Sequence, residues 1–260
     1  MADGPLGLRI TRVYNIDKKG KYHRLSKNPI NFYTYKYFSK LKNIFSLSKY
    51  PQKENFSKYT NVFFQNTSAL PIATAIAQTF NTDLVEKYGK IVGKEMKLFN
   101  IQLILAPALN IHRNILCGRN LEYFSEDPLI SGKMASAITK GVQSYKKTGT
   151  TLKHFAGNNQ ETNRRNSNSK ISERALREIY LKGFQIAIEE SQPFAVMTSY
   201  NLINGIHTSE NKALLIDVLR NEWNFKGLIM TDWGHSENTK FARNKNPTQN
   251  VVNNIKGGNK

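Results

Sequence analysis

The chain has 260 residues, enough for one large α/β domain or two small ones. Its 39% hydrophobic and 11% aromatic content argues against wholesale disorder, and a single cysteine, Cys117, excludes an internal disulfide framework. The net charge of +19 would suit nucleic acid or an anionic surface, whereas no apolar stretch approaches the ~20 residues that span a bilayer. The opening MADGPLGLRI lacks the basic and long apolar regions of a signal peptide, so a reducing, cytoplasmic compartment is the default expectation. Residues 9–60 carry thirteen Lys or Arg against two acids, Asp17 and Glu54, and include KYHRLSKNPINFYTYKYFSK. Basic residues interleaved with aromatics can bind single-stranded nucleic acid. A loosely packed insertion of Lys/Asn-biased composition is the preferred alternative, because no nucleic-acid motif accompanies the charge. From residue 70 the pattern becomes regular. ALPIATAIAQTFN reads as a short helix with Pro71 near its first turn. NTDLVEKYGKIVGKEMKLFN reads as a longer one, with Leu84, Tyr88, Ile91 and Glu95 on one face. IQLILAP is a strand stopped by Pro107, and DPLISGKMASAITKGVQSY a helix entered at Pro128. GTTLKHF is a strand. SERALREIYLKGFQIAIEE is a helix capped by Ser172, with Leu176, Ile179, Tyr180, Phe184 and Ala187 as its face. FAVMTSY, NKALLIDVLRNEW and GLIMTDW give strand, helix, strand, and TQNVVNNIK a last amphipathic piece.

Alternating strands and helices predict parallel βαβ units. The strand ends favour a barrel over an open sheet. Each delivers polar groups at its C-terminal end: Asn110, His112 and Arg113; Lys153 and His154; Tyr200 and Asn201; Asp232. Parallel strands open those ends on one side, and in a closed barrel several of them build the active site. No GxGxxG or GxxxxGK[ST] loop supports a nucleotide site.

Asp232 ends an apolar strand, where a carboxylate is costly unless it is paired or used. Lys153 and His154 are adjacent, so both reach one ligand only if their strand bends there, and Gly157 permits the turn. Arg119, in CGRNLEYFSEDP, can fork onto hydroxyls or a carboxylate, or it can simply pair with Glu122 or Glu126. Cys117 reads as a packing residue, since no Cys-His pairing with an orienting group is visible. His112, His154, His207 and His235 give neither HxH nor HExxH spacing, so no metal is expected.

LAPALNIHRNILCGRNLEYFSEDPLISGKMASAITKGVQS resembles the family 3 glycoside hydrolases of β-glucosidase type. So do TLKHFAGNNQETNR, SERALREIYLKGFQIAI, VMTSYNLINGIHTSEN, LLIDVLRNEWNFKGLIMTDW and the opening ADGPLGLR. The likeness covers residues 1–10 and about 61–235, and residues 11–60 lie outside it. It implies a (β/α)8-type barrel, no cofactor and an oligosaccharide or glycoside substrate. It also implies that Asp232 is the nucleophile of a retaining mechanism. By the same likeness Asp3, Arg119, Lys153 and His154 bind sugar hydroxyls. Tyr200 and Met197 lie beside the nucleophile, and Trp233 bounds the subsite. Ionisation of Asp232 is expected to be helped by Lys153 and Arg119.

The family's barrel has a helix and strand before DGP, and an aspartate usually follows GN where Lys260 stands here. Residues 1–260 are therefore expected to form an incomplete barrel with a basic insertion at about 11–60. The α/β sandwich domain that supplies the acid/base in many members is expected to lie outside the chain. On that expectation the chain alone is a weak catalyst or a carbohydrate-binding remnant.

Overall fold

The computed structural model describes residues 1–4, 7–9 and 67–233, together with the backbone of 13–16, 22–26 and 61–63. Two units divide it: Met1–Leu8 with Ser68–Lys260, and Arg9–Thr67. In the second unit β2 (Val13–Ile16), β3 (Tyr22–Ser26) and β4 (Asn61–Phe63) form an antiparallel sheet with β2 in the centre. Most of the basic, aromatic-rich stretch lies outside the described residues, as do His235 and TQNVVNNIK.

The first unit is built on β1 (Ala2–Asp3), β5 (Leu103–Leu105), β6 (Gly149–Phe155), β8 (Ala195–Thr198) and β11 (Leu228–Thr231). All neighbours in this sheet are parallel, and their spatial order is their chain order. A doubly wound sheet would reverse direction at a switch point; winding one way only is the pattern of a (β/α)8 barrel. Among the described residues β1 and β11 are the two edges and do not pair with each other, so the barrel is open. The four strands expected from apolar runs are present, with a fifth at Asp3. A smaller sheet of β7 (Asn168–Ser169), β9 (Leu202–Ile203) and β10 (Ile206–His207) is formed by the segments that follow β6 and β8.

Helices follow from caps and glycines. Helix α1 (Ala73–Ala77) is shorter than its sequence suggests, with Pro71 just outside it. Helix α2 (Thr82–Leu98) starts at Asn81, whose side chain accepts from the Leu84 N–H. Its buried residues are Val85, Gly89, Val92, Gly93 and Met96. The face expected from Leu84 and Ile91 is therefore displaced by one residue; these two are 49% and 44% exposed. The cause is close helix packing. A Cβ on Gly89 would come within 2.5 Å of the Ile138 carbonyl oxygen, and one on Gly141 within 2.2 Å of the Glu86 carbonyl oxygen. Gly89 and Gly93, on the same face as Val85, Val92 and Met96, set the close contact of α2 with α3 (Pro128–Gln143). Helix α3 is capped by Asp127, which accepts from the Leu129 and Ile130 N–H groups, and packs on α2, β6 and the helix at Lys182–Ser191.

The predicted helix after Ser172 is broken in two. Ser172 caps α4 (Glu173–Ala175), a π-helical turn covers Leu176–Tyr180, and α5 (Lys182–Ser191) follows. The wide turn is closed by the Leu181 N–H donating to the Leu176 carbonyl at 2.8 Å. The extra residue rotates the helix face, so Leu181 enters the core and Ile179 is left 40% exposed. Ala213–Glu222 is π-helical as well, ahead of β11.

Candidate active site

The tip of β6 departs from regular strand geometry. Its pairing with β8 shifts register between Leu152 and Phe155, the Lys153–His154 and Phe155–Ala156 peptides are cis, and Gly157 turns the chain with φ +73°. The bend that the sequence required for Lys153 and His154 to serve one ligand is thus present. Lys153 Nζ lies 3.1 Å from Asp3 Oδ1, which also accepts from the Gly4 N–H at 3.0 Å. His154 Nε2 lies 3.8 Å from Asp232 Oδ2, at the tip of β11. Tips of β1, β6 and β11 therefore join into one polar cluster.

Asp232 is 9% exposed. Its Oδ1 accepts from the Trp233 N–H at 2.7 Å, which leaves Oδ2 directed at His154. Burial pushes its carboxyl above the ordinary aspartate range, against the Trp233 N–H and the charges of Arg119, Arg164 and Lys153. Here the expectation from sequence needs correction: Lys153 and Arg119 do act to lower it, but desolvation at the strand tip exceeds them. His154 is fully buried and held well below its ordinary value, first by burial and then by Arg119, Lys153 and Arg164. Its contact with Asp232 is therefore between a neutral ring and a carboxyl group.

Asn110 locks the bend from the β5 side. Its Oδ1 accepts from the His154 N–H at 2.9 Å and its Nδ2 donates to the His154 carbonyl at 2.9 Å. From the β8 side, Ser199 Oγ donates to the Ala156 carbonyl at 3.0 Å, and Asn201 Nδ2 to the Ala156 and Gly157 carbonyls at 3.3 and 3.4 Å. Each of these carboxamides is buried and satisfies backbone groups that the broken ladder leaves open.

Arg119 makes the pair with Glu122 that its sequence context allowed. Burial works against its charge, while Tyr123, Glu122 and Glu161 outweigh it and leave the guanidinium above its ordinary value. Arg119 still acts electrostatically on both Asp232 and His154. The Tyr200 hydroxyl donates to the Trp233 carbonyl and faces Asp232, and burial with that carboxylate pushes it up to about 12. The Trp233 ring is 62% exposed, open to whatever occupies the space above the tips. Met197 lies buried in β8 opposite Met230 and brings no polar atom to the cluster.

Arg164 and Glu161 escaped the sequence reading. The Arg164 guanidinium sits 4.8 Å from the Tyr200 ring centre, is held by Glu161 at 2.8 Å, and acts on Asp232 and His154. Their signal was the charge density of NNQETNRR directly after the bend. Several other residues stay structural. Arg113 is exposed, Cys117 packs with Ala108 and Tyr123, and His112 Nε2 faces the carbonyls of Asn120 and Tyr123. Among the described residues no group of three or more His, Cys, Asp or Glu is placed to hold a metal.

Residues 57–259 match the model of the glycosyl hydrolase family 3 N-terminal domain. The chain belongs to glycosyl hydrolase family 3. It is 48% identical over 175 residues to a β-glucosidase A of Butyrivibrio fibrisolvens, covering 67% of this chain and 21% of that enzyme. It is 47% identical over 167 residues to an exo-α-(1->6)-L-arabinopyranosidase of Bifidobacterium longum, covering 64% of this chain and 22% of that enzyme. The structure of β-glucosidase 3B from Thermotoga neapolitana with α-D-glucose superposes with a TM-score of 0.71 at 41% identity, over 99% of this chain and 28% of that one. The chain thus spans about a fifth of the length of these curated family 3 relatives.

Proposed function

We propose that the protein acts in hydrolysis of terminal non-reducing β-D-glucosyl or related residues of oligosaccharides and glycosides, with Asp232 as nucleophile of a retaining double displacement. The observation that carries this reading is the division of labour in one carboxylate. Asp232 Oδ1 is anchored by the Trp233 N–H, while Oδ2 lies 3.8 Å from the nearest His154 nitrogen, too far for a hydrogen bond. One oxygen is fixed by the backbone, the Tyr200 hydroxyl also meets the carboxylate, and Oδ2 is the atom we assign to the anomeric carbon. Around it Asp3, Arg119, Lys153, His154, Arg164 and Tyr200 supply directed donors and acceptors of the kind sugar hydroxyls need. Trp233 supplies an apolar face for sugar C–H groups, and Met197 lies buried in the adjacent strand β8.

The names of the relatives support an exo-acting glycosidase and leave the sugar broader than glucose. Retaining hydrolysis needs a second carboxyl about 5–5.5 Å from the nucleophile as acid/base. Cations and a neutral ring act on Asp232 here, so we place that second carboxyl outside the described residues. Without an acid, departure of an alkoxide would lose ~10²–10⁴ in rate.

The test avoids dependence on the acid. A 2-deoxy-2-fluoroglucoside with a dinitrophenolate leaving group should add one fluorosugar to the full chain, on the peptide that contains Asp232. A chain that binds glucose yet takes no label would be a carbohydrate-binding remnant. One that takes no label and is retained on heparin with strong salt dependence would favour a nucleic-acid role.

A further inference from the structure

We propose that Asn110 is a positioning residue that fixes the proton of His154 on Nδ1, so that Nε2 meets the substrate as a hydrogen-bond acceptor only. The orientation of the Asn110 amide is not free. Its two ends face the N–H and the C=O of the same residue, His154, each at 2.9 Å. Turning the amide over would set NH₂ against N–H and oxygen against oxygen. Backbone polarity cannot change, so the atom nearest the His154 N–H is the oxygen. That same oxygen lies 3.3 Å from His154 Nδ1. An amide oxygen only accepts, so Nδ1 is the donor. His154 is neutral in its buried setting among Arg119, Lys153 and Arg164, and a neutral imidazole carries one ring proton. Nε2 is then a lone pair.

The consequence falls on Asp232. With the proton on Nε2, the ring would point an N–H at Oδ2, which at 3.8 Å is beyond hydrogen-bond reach but biases electrostatically the oxygen assigned to react. With the proton on Nδ1, Oδ2 has no donor on that side. A hydroxyl group that enters the gap must donate to Nε2. The ring state rests on the Asn110 geometry and on the neutrality of the buried imidazole, whereas its meaning for a sugar rests on the glycosidase reading, and the two can fail separately.

Two-bond ¹H–¹⁵N correlation of the uniformly labelled full chain at neutral pH reads the ring state through its C–H protons. A His154→Gln spectrum assigns His154 among the five histidines. The nitrogen coupled to both Hδ2 and Hε1 is Nε2, and it should appear at the unprotonated, downfield position, with Nδ1 protonated. Asn110→Asp retains the accepting oxygen and should keep the proton on Nδ1. Asn110→Ala should shift both nitrogens toward averaged positions. A protonated Nε2 in the parent chain, or an unprotonated Nδ1 in Asn110→Asp, would overturn the assignment. So would an unchanged pattern in Asn110→Ala; if that variant does not fold, the first two spectra decide. With the ring state established, glucose analogues bearing fluorine in place of single hydroxyls test the second half. One of them should lose at least tenfold in affinity, because fluorine cannot donate. If none does, the ring state stands and the sugar reading fails.

Discussion

Gly149 to Leu152 and Lys153 to Phe155 lie on one strand and are buried alike, yet they are built on opposite principles. The lower half pairs regularly with β5 and β8 and meets α3 through a Thr139–Thr150 hydroxyl contact of 3.0 Å. Its backbone runs in the regular ladder, although the buried Thr151 Oγ1 has no hydrogen-bond partner among the described residues. The upper half breaks register, carries an ammonium group and an imidazole, and needs Asn110, Ser199 and Asn201 to satisfy its backbone. Regular pairing gives stability; the break gives two adjacent side chains that act on one carboxylate. The contrast teaches that the polar apparatus at the tip is a cost to folding which the lower sheet and its glycine-packed helices offset.

Substitutions at each end can break that contrast. Asp232→Asn should abolish fluorosugar labelling completely, as read by intact-mass spectrometry. It should also raise the melting temperature at neutral pH. The Asp232 carboxyl is raised in the folded state, so its contribution to stability is full below the unfolded pKa and is lost as pH rises through the folded value. Parent and variant melting curves should therefore draw together in acid; a variant less stable at neutral pH would contradict the account. Lys153→Met removes a buried donor and the partner of Asp3, and should weaken glucose binding roughly 10- to 100-fold by calorimetry, since a charged hydrogen bond contributes about 1.5–3 kcal/mol. Gly141→Ala sits far from the tips and should cost about 1–3 kcal/mol in denaturant titration with the His154 ring resonances unmoved. Thr150→Val, in the regular half, should cost only about 1 kcal/mol and leave labelling intact.

Much of the fold was legible because its signals are local. Short apolar runs ended by Pro107 or Asp232 marked the strands, and Pro128 and Ser172 marked helix starts. What was not legible depends on neighbours. A π-turn adds one residue to a periodic pattern and turns Ile179 outward, and no composition rule announces it. The inward face of α2 was misread because Val85, Val92 and Met96 compete with Leu84 and Ile91, and the close contact at Gly89 and Gly93 that selects between them is set by the neighbouring helix. In the site, the resemblance picked out Asp3, Arg119, Lys153, His154, Tyr200 and Asp232 from residue type and order. Arg164 was missed because a loop, not a strand tip, brings it over Tyr200. The direction of the Asp232 shift was missed because burial is a property of the packed chain, whereas Lys153 and Arg119 can be counted in a sequence.

The pH dependence of fluorosugar labelling tests the proposed role of Asp232 most directly, because a carboxyl group acting as nucleophile must be ionised. With burial outweighing Arg119, Arg164 and Lys153, the labelling rate should rise with pH through a midpoint above the ordinary aspartate value of 3.8. A midpoint at or below that value, or label found on any other residue, would contradict it.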